Sequence, residues 1–339
     1  MGNQNNVIVS ICCCTYNHEP YIRECLEGFV MQKTNFVFEI LVHDDASTDK
    51  TANIVREYEA KYPQLFRCVY QTINQFKIQN TLTNILFAMA RGKYIAICEG
   101  DDYWTDPNKL QKQVDFLEAN EDFAICGHKA RMQYELDTKY KEEYLGADEG
   151  VYDIHDLIQQ NFIPTVSSVM RKEYIEHFPD WFYNVPLGDW SLFMLAASKG
   201  KIKMFGGVMA VRRVHSGGIW EGVENEIKTK YVLKTLNAFE KNFSYEYLPL
   251  IQEHKRRCFA RLAYFALLNN NFDAFDEYIK LSNADCAGEH QLLYNNLSKK
   301  LHNQNSEIAS LQQIIHAYKT SKSYRIGNFF IKFLRYFKK

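Results

Sequence analysis

Apolar positions in the amino-terminal part of the chain switch repeatedly between a strand-like and a helix-like period. Val7 to Cys14 is a nearly continuous apolar run between polar Asn5-Asn6 and Thr15-Tyr16-Asn17, as suits a strand buried on both faces of a parallel sheet. Pro20 follows early in a segment whose apolar residues Ile22, Leu26, Phe29 and Val30 recur at helical spacing. The pattern repeats as a strand from Phe38 to His43, a helix from Asn53 to Tyr62, a strand from Phe66 to Tyr70, a helix from Thr81 to Arg91 and a strand from Tyr94 to Cys98. Gly92 stops the last of these helices, where a left-handed residue is expected. Such alternation predicts right-handed crossovers and a doubly wound, mostly parallel, Rossmann-like sheet of the α/β class. Ligands of such sheets bind at the carboxyl ends of the strands, so chemistry is expected in the residues just after each strand.

Asp106-Pro107 supplies an N-cap and a first-turn proline for a helix lined by Leu110, Val114 and Leu117, and Phe123 to Gly127 reads as a fifth strand. From Lys129 to Asp156 the chain reads as polar and irregular. A second group of elements takes in Ser167 to Arg171, a helix from Trp190 to Lys199 and a short strand from Val208 to Val214. Past about residue 225 the composition turns helical, and residues 254–268 and 272–282, joined at Asn269-Asn270-Asn271, read as an antiparallel helical hairpin. From Tyr294 a heptad aligns Leu297, Leu301, Ile308, Leu311 and Ile315 as a short coiled coil, which makes 294–318 the segment for a homo-oligomer contact. The last stretch carries Ile326, Phe329, Phe330, Phe333, Leu334 and Phe337 on one helical stripe, with five basic residues and no acid after Glu307. Two readings of that stripe stand: ordinary core against the preceding helices, or a helix lying in the plane of an anionic membrane surface. The expected organisation is an α/β domain over 1–225, an all-α region over 226–320 and a basic amphipathic tail over 321–339.

Composition narrows the function classes. A net charge of −1 creates no field to recruit nucleic acid, and 46% hydrophobic with 24% charged residues is the balance of a globular protein. No apolar run approaches the ~20 residues that span a bilayer. Met1-Gly2-Asn3-Gln4-Asn5-Asn6 lacks the basic and apolar regions of a signal peptide, so the expected location is cytoplasmic. Nine cysteines form no Cys-x-x-Cys pair; three are consecutive, and alternation sends Cys12 and Cys14 to one sheet face and Cys13 to the other. They read as small buried apolar residues in a reducing compartment.

Three groups follow the predicted strands: Thr15-Tyr16-Asn17, Asp44-Asp45-Ala46-Ser47-Thr48-Asp49 and Glu99-Gly100-Asp101-Asp102-Tyr103-Trp104. Two of the three are acidic. Together with Val9-Ser10-Ile11 before the first group, Val42-His43 before the second and Gly92 to Cys98 before the third, they resemble motifs of the large inverting glycosyltransferase family of GT-A fold, often called family 2. Leu187-Gly188-Asp189-Trp190, followed by Arg213-Val214-His215-Ser216-Gly217-Gly218, completes the resemblance, which covers residues 7 to about 220. His43 and Ala46 vary the family's Val-Asp-Asp-Gly-Ser-Thr-Asp, Glu99 replaces the first acid of its Asp-x-Asp, and Arg212 stands at the aromatic position of its Tyr-Arg-x-His.

The resemblance implies a metal-dependent transferase that moves a sugar from a UDP-sugar donor to a hydroxyl of a glycan or lipid-linked acceptor, in capsule or O-antigen synthesis. It implies a nucleotide pocket from Thr15, Tyr16, Asn17, Asp44, Asp45, Glu99, Gly100 and Arg213, in which Asp45 accepts from the uracil N–H and Tyr16 stacks on the base. Asp101 is then the main ligand of Mn2+ or Mg2+, with Asp102 either joining the metal shell or holding the loop and His215 completing the shell or touching the diphosphate, and Asp189 is the base, with Trp190 walling the acceptor pocket. A lipid-linked acceptor places the chain peripherally on the inner face of the cell membrane.

Plainer readings of the same residues are a solvated acidic turn at 99–102, helix caps at Asp44, Asp45 and Asp189, a loop histidine at His215 and a core histidine at His43. A sugar-phosphate nucleotidyltransferase would need a glycine-rich basic loop after the first strand, and Thr15-Tyr16-Asn17-His18-Glu19 is neither. A non-catalytic nucleotide-binding scaffold has no use for Asp101 and Asp189 together.

Overall fold

A computed structural model describes residues 6–75, 82–135, 143–218, 220, 222–269 and 271–282. The heptad at 294–318 and the tail at 321–339 lie outside the described residues. The chain divides into two compact units, Met1–Gly222 and Val223–Lys339. In the first, the elements run β1 (Val7–Thr15), α1 (Ile22–Val30), β2 (Val37–Asp44), α2 (Thr51–Lys61), β3 (Phe66–Tyr70), β4 (Tyr94–Ile97), β5 (Tyr103–Trp104), α3 (Lys109–Ala119) and β6 (Phe123–Tyr134). They continue as β7 (Tyr144–Leu145), β8 (Gly150–Tyr152), α4 (Ile154–Gln159), β9 (Val169–Arg171), α5 (Gly188–Ala197) and β10 (Lys201–Val214).

The sheet order is β3-β2-β1-β4-β9-β6-β10-β5. Its first four strands are parallel, as expected of a doubly wound sheet, and the long β6 and β10 are parallel to each other. The short strands β5, β7, β8 and β9 pair antiparallel, which makes the sheet mixed. β1 lies between β2 and β4, and its continuous apolar run is explained by cover on both faces. Val9, Ile11 and Cys13 join Ile22, Cys25, Leu26 and Phe29 of α1 in the core, while Cys12 is equally buried. Each fully buried large apolar side chain there contributes about 1.5–3 kcal/mol. The eight described cysteines are free thiols.

Four expectations need correction. Residues Leu82–Phe87 form a π-helical turn within the expected helix, with Leu86 and Phe87 buried. Gly92 is not left-handed; Gly146 is the described glycine with positive φ, at 111°. Gly92 is required by close approach instead, since a Cβ there would lie 2.5 Å from the Ser10 nitrogen on β1. The polar stretch expected to be irregular from Lys129 continues β6 to Tyr134, and β10 begins at Lys201 instead of Val208. Both extensions exist because β6 and β10 pair with each other along their length, a long-range ladder that lets polar residues occupy one face of each strand.

In the second unit, α6 (Asn225–Asn242), α7 (Leu248–Leu268) and α8 (Phe272–Leu281) are joined by short turns. Pro249 sits in the first turn of α7, where its missing N–H costs nothing, and Asn271 caps α8 by accepting from Ala274 N at 3.1 Å. Among the described residues, no helix is long and apolar enough to cross a membrane.

Candidate active site

The parallel register sets Thr15 beside Asp44 and Asp44 beside Tyr70, so the carboxyl ends of β1, β2 and β3 finish level. The loops after β1 and β2 are laced together. Asn17 N donates to Ser47 Oγ at 2.9 Å, and Asn17 Oδ1 accepts from Thr48 N at 2.8 Å. Asn17 is thus engaged as a clasp between loops, and Tyr16 beside it projects with 43% of its surface exposed, open to a stacking partner.

Both clasped loops turn through left-handed backbone, with φ of 54° at Asn17 and 62° at Ala46. Asparagine tolerates that region; alanine pays a steric penalty there of about 1–2 kcal/mol. Ala46→Gly is therefore expected to raise stability by about 0.5–1 kcal/mol after the entropy of glycine is deducted. Denaturant unfolding measures it, and a destabilised variant would contradict the strain.

Asp44 and Asp45 are both buried. Asp44 Oδ2 accepts from Ser47 N at 3.2 Å, while its Oδ1 meets no partner among the described residues. Asp45 Oδ1 accepts from Gln75 N at 2.6 Å. Neither aspartate caps α2, whose N-cap is Lys50; Asp49, one residue earlier, accepts from Thr51 N at 2.9 Å. The plain helix-cap reading of the pair is thereby set aside.

After β4 the acidic loop is pressed onto the end of β1. A Cβ on Gly100 would lie 2.6 Å from Thr15 Oγ1, so only glycine permits this approach. Thr15, expected to touch nucleotide, is consequently sealed under Gly100, and it contributes its backbone oxygen as acceptor for Asp45 N at 2.9 Å. The Cys25 and Cys98 thiols donate to the Glu99 carbonyl at 3.4 and 3.5 Å, which fixes the backbone that carries Glu99. Desolvation of the carboxylate, then the charges of Asp101 and Asp189, push the Glu99 pKa up to about 7.

Asp101 Oδ2 lies 3.1 Å from His215 Nε2 and 3.8 Å from His18 Nε2. Desolvation opposes its ionisation, but the His215 hydrogen bond and the His18 charge outweigh it and hold Asp101 below its ordinary pKa. The same bond raises the pKa of His215. His18 was not singled out from the sequence, although it stands one residue beyond Asn17 in a loop already marked by Tyr16.

Two expected ligands are turned away. Asp102 is buried with Oδ1 accepting from Arg213 N at 2.9 Å, and burial, then the charges of Asp101 and Glu99, raise its pKa far above the carboxylate range. With that oxygen it holds β10 to the acidic loop. Arg213, expected at the phosphates, is engaged with the Glu24 carboxylate and the Asp101 carbonyl, its guanidinium 4.3 Å over the Tyr103 ring. Strand alternation sends its neighbour Arg212 to the other face, where its charge favours ionisation of Glu99, Asp102 and Asp189.

Asp189 lies inside the first turn of α5, whose N-cap is Leu187, so it is not a plain cap. Its Oδ2 accepts from Asn161 Nδ2 at 3.0 Å. Burial lifts its pKa above the ordinary value, opposed by the Trp190 N–H, Asn161 and Arg212. Trp190, expected to wall an acceptor pocket, is a core residue: it is 2% exposed and donates from Nε1 to Leu157 O at 2.8 Å. His43 is buried as expected, but neither ring nitrogen has a described partner.

Comparison with known proteins bears on the family and the fold. The glycosyl transferase family 2 description matches residues 10–178. An uncharacterised protein of Mycobacterium tuberculosis is 42% identical over 212 residues, 62% of this chain and 60% of that one, so the chain spans about 60% of that relative's length. A Pyrobaculum calidifontis mannosyltransferase solved with GDP-Man and Mn2+ superposes with a TM-score of 0.56 at 16% identity, covering 93% of this chain and 87% of that one. S. aureus TarS 1-349 with UDP-GlcNAc gives 0.53 at 16% identity over 83% and 92%. At such identities the two structures establish a shared fold, the GT-A type of mixed α/β sheet. With its strand-end loops, its acidic turn and the match over residues 10–178, the chain belongs to glycosyltransferase family 2.

Proposed function

We propose that the protein is a metal-dependent, inverting glycosyltransferase that moves a sugar from a UDP-sugar to a hydroxyl of a glycan or lipid-linked acceptor during assembly of a bacterial surface polysaccharide. The observation that carries this reading is the grouping of two carboxylates about Glu99 after β4: Asp101, 3.1 Å from His215, and Asp189 in the first turn of α5, both close enough for their charges to act on Glu99. Tyr16 stacks on the base and Asp44 or Asp45 accepts from its N–H. Asp189 takes the proton of the acceptor hydroxyl as that oxygen attacks from the face opposite the nucleotide.

Asp101 Oδ2 and His215 Nε2 offer one hard oxygen and one imidazole nitrogen, a donor pair that fits Mn2+ or Mg2+. Among the described residues no three His, Cys, Asp or Glu side chains group to hold a metal ion, so the donor diphosphate would have to supply further ligands. Such an ion offsets the negative charge that grows on the departing diphosphate. The Mn2+ and the sugar nucleotides bound by the two structural neighbours support the same reading.

Hydrolysis of nucleotide sugars with manganese tests the proposal without a known acceptor. A thermal-shift series sharpens it: UDP with Mn2+ is expected to stabilise the protein, whereas stabilisation by a nucleoside triphosphate would mark a nucleotidyltransferase and by neither a scaffold. The tail over 321–339 is assigned to an anionic membrane surface at the cytoplasmic face, beside a lipid-linked acceptor, and 294–318 to contacts between copies. Deletion of 321–339 should abolish sedimentation with anionic liposomes at low salt while donor hydrolysis persists; equal sedimentation would exclude the membrane role.

A further inference from the structure

Asn161 follows α4 and stands 28 residues before Asp189, yet its Nδ2 donates to Asp189 Oδ2 at 3.0 Å. Its amide has a defined sense, because Oδ1 accepts a long hydrogen bond from Ile163 N at 3.4 Å and so leaves the nitrogen toward the carboxylate. The segment that carries Asn161 is anchored through α4, just before it. Asp153 and Asp156 close a capping box at the start of α4, and the buried Trp190 indole, next to Asp189, ties α5 to Leu157 of the same helix.

We propose that Asn161 is the positioning residue of the Asp189 base, holding Oδ2 so that Oδ1 is the oxygen offered to the attacking hydroxyl. This rests on the reading of Asp189 as the base. A carboxylate on a short side chain can rotate about its last bond, and tying one oxygen removes that freedom at the cost of a single hydrogen bond. The charged groups that face Asp189 are Arg212 from β10 and Glu99 from the loop after β4, with the Trp190 N–H from α5 itself. Arg212, Trp190 and Asn161 favour the ionised form, and Glu99 opposes it when charged. Losing the Asn161 bond therefore leaves Asp189 harder to ionise.

The test follows the Asp189 carboxyl directly, by 13C NMR titration of aspartate-labelled, metal-free protein, with the resonance assigned by its absence from Asp189→Asn. Asn161→Ala is expected to move the Asp189 titration up by about one pH unit. In the presence of Mn2+, UDP-sugar turnover should fall about tenfold near neutral pH with the donor KM unchanged, and its acid limb should shift in step. The isosteric Asn161→Asp should shift it further, because a second carboxylate replaces a donor, and Asn161→Gln should restore part of the loss. An unmoved titration in folded Asn161→Ala and Asn161→Asp would overturn the inference, as would a rise in donor KM at constant kcat. Retained turnover in Asp189→Asn would instead overturn the assignment of the base, whatever Asn161 does.

Discussion

Asp189→Asn is expected to bind UDP and manganese as tightly as the wild-type protein and to turn over a UDP-sugar about 10²–10⁴-fold more slowly. The substitution keeps the shape of the side chain and of the first turn of α5 while removing the lone pair that accepts a proton. Asp189 contacts Asn161, a hydrogen bond that does not involve the Asp101–His215 pair assigned to the metal, so the substitution leaves that pair in place. One secondary effect has a known sign. The charge of Asp189 helps to push Glu99 up to about 7, so its removal lowers the Glu99 pKa and leaves that group more fully ionised at neutral pH. Calorimetry with UDP and Mn2+, set beside turnover of the donor, separates binding from chemistry. A variant that keeps more than about a tenth of wild-type turnover would assign the base elsewhere.

How much of this was legible in the sequence depended on whether the cause was local. β1, β2 and β4 are short apolar runs buried on both faces, and the crossover helices show their buried stripe at 3.6-residue spacing, so each announces itself within a dozen or so residues. The β6 and β10 extensions do not, because Lys129, Arg131 and Gln133 become strand only by pairing with Val208, Val211 and Arg213, some eighty residues later. The acidic turns were legible because a strand end in a parallel sheet is a place as well as a motif.

Side-chain direction was the harder part. Asp101 and Asp102 are adjacent and chemically alike, yet one is held at the cleft by His215 and the other is buried as an acceptor for the Arg213 backbone. Arg212 and Arg213 divide the same way, and here alternation along β10 could have revealed that only one of them faces Glu99 and Asp189. Asn161 carried no signal at all: an asparagine in a polar loop is commonplace, and its meaning comes from a contact made across 28 residues. Gly100 and Thr15 show the converse, since both are required by the site and neither is exposed to a ligand.

The second large effect concerns the metal. Asp101→Asn should weaken UDP binding in the presence of Mn2+ by about 100-fold or more, to the level seen with a chelator, so that adding EDTA changes nothing further in the variant. The fold should survive: the Asp101 side chain is partly exposed, and the backbone contacts of its loop, Gly100 N to Cys14 O at 3.0 Å and the Arg213 guanidinium to the Asp101 carbonyl, do not involve the carboxylate. What the variant loses is the anion that binds the cation and keeps His215 oriented by a 3.1 Å contact. The amide is still an oxygen donor, but it lacks the charge that balances a divalent ion beside a diphosphate. Metal-free UDP affinity is the control, because the proposed stacking on Tyr16 and the proposed hydrogen bond to Asp44 or Asp45 do not use Asp101. Equal affinity of wild type and Asp101→Asn for UDP in saturating Mn2+ would remove Asp101 from the metal site, and with it the reason for the His215 contact.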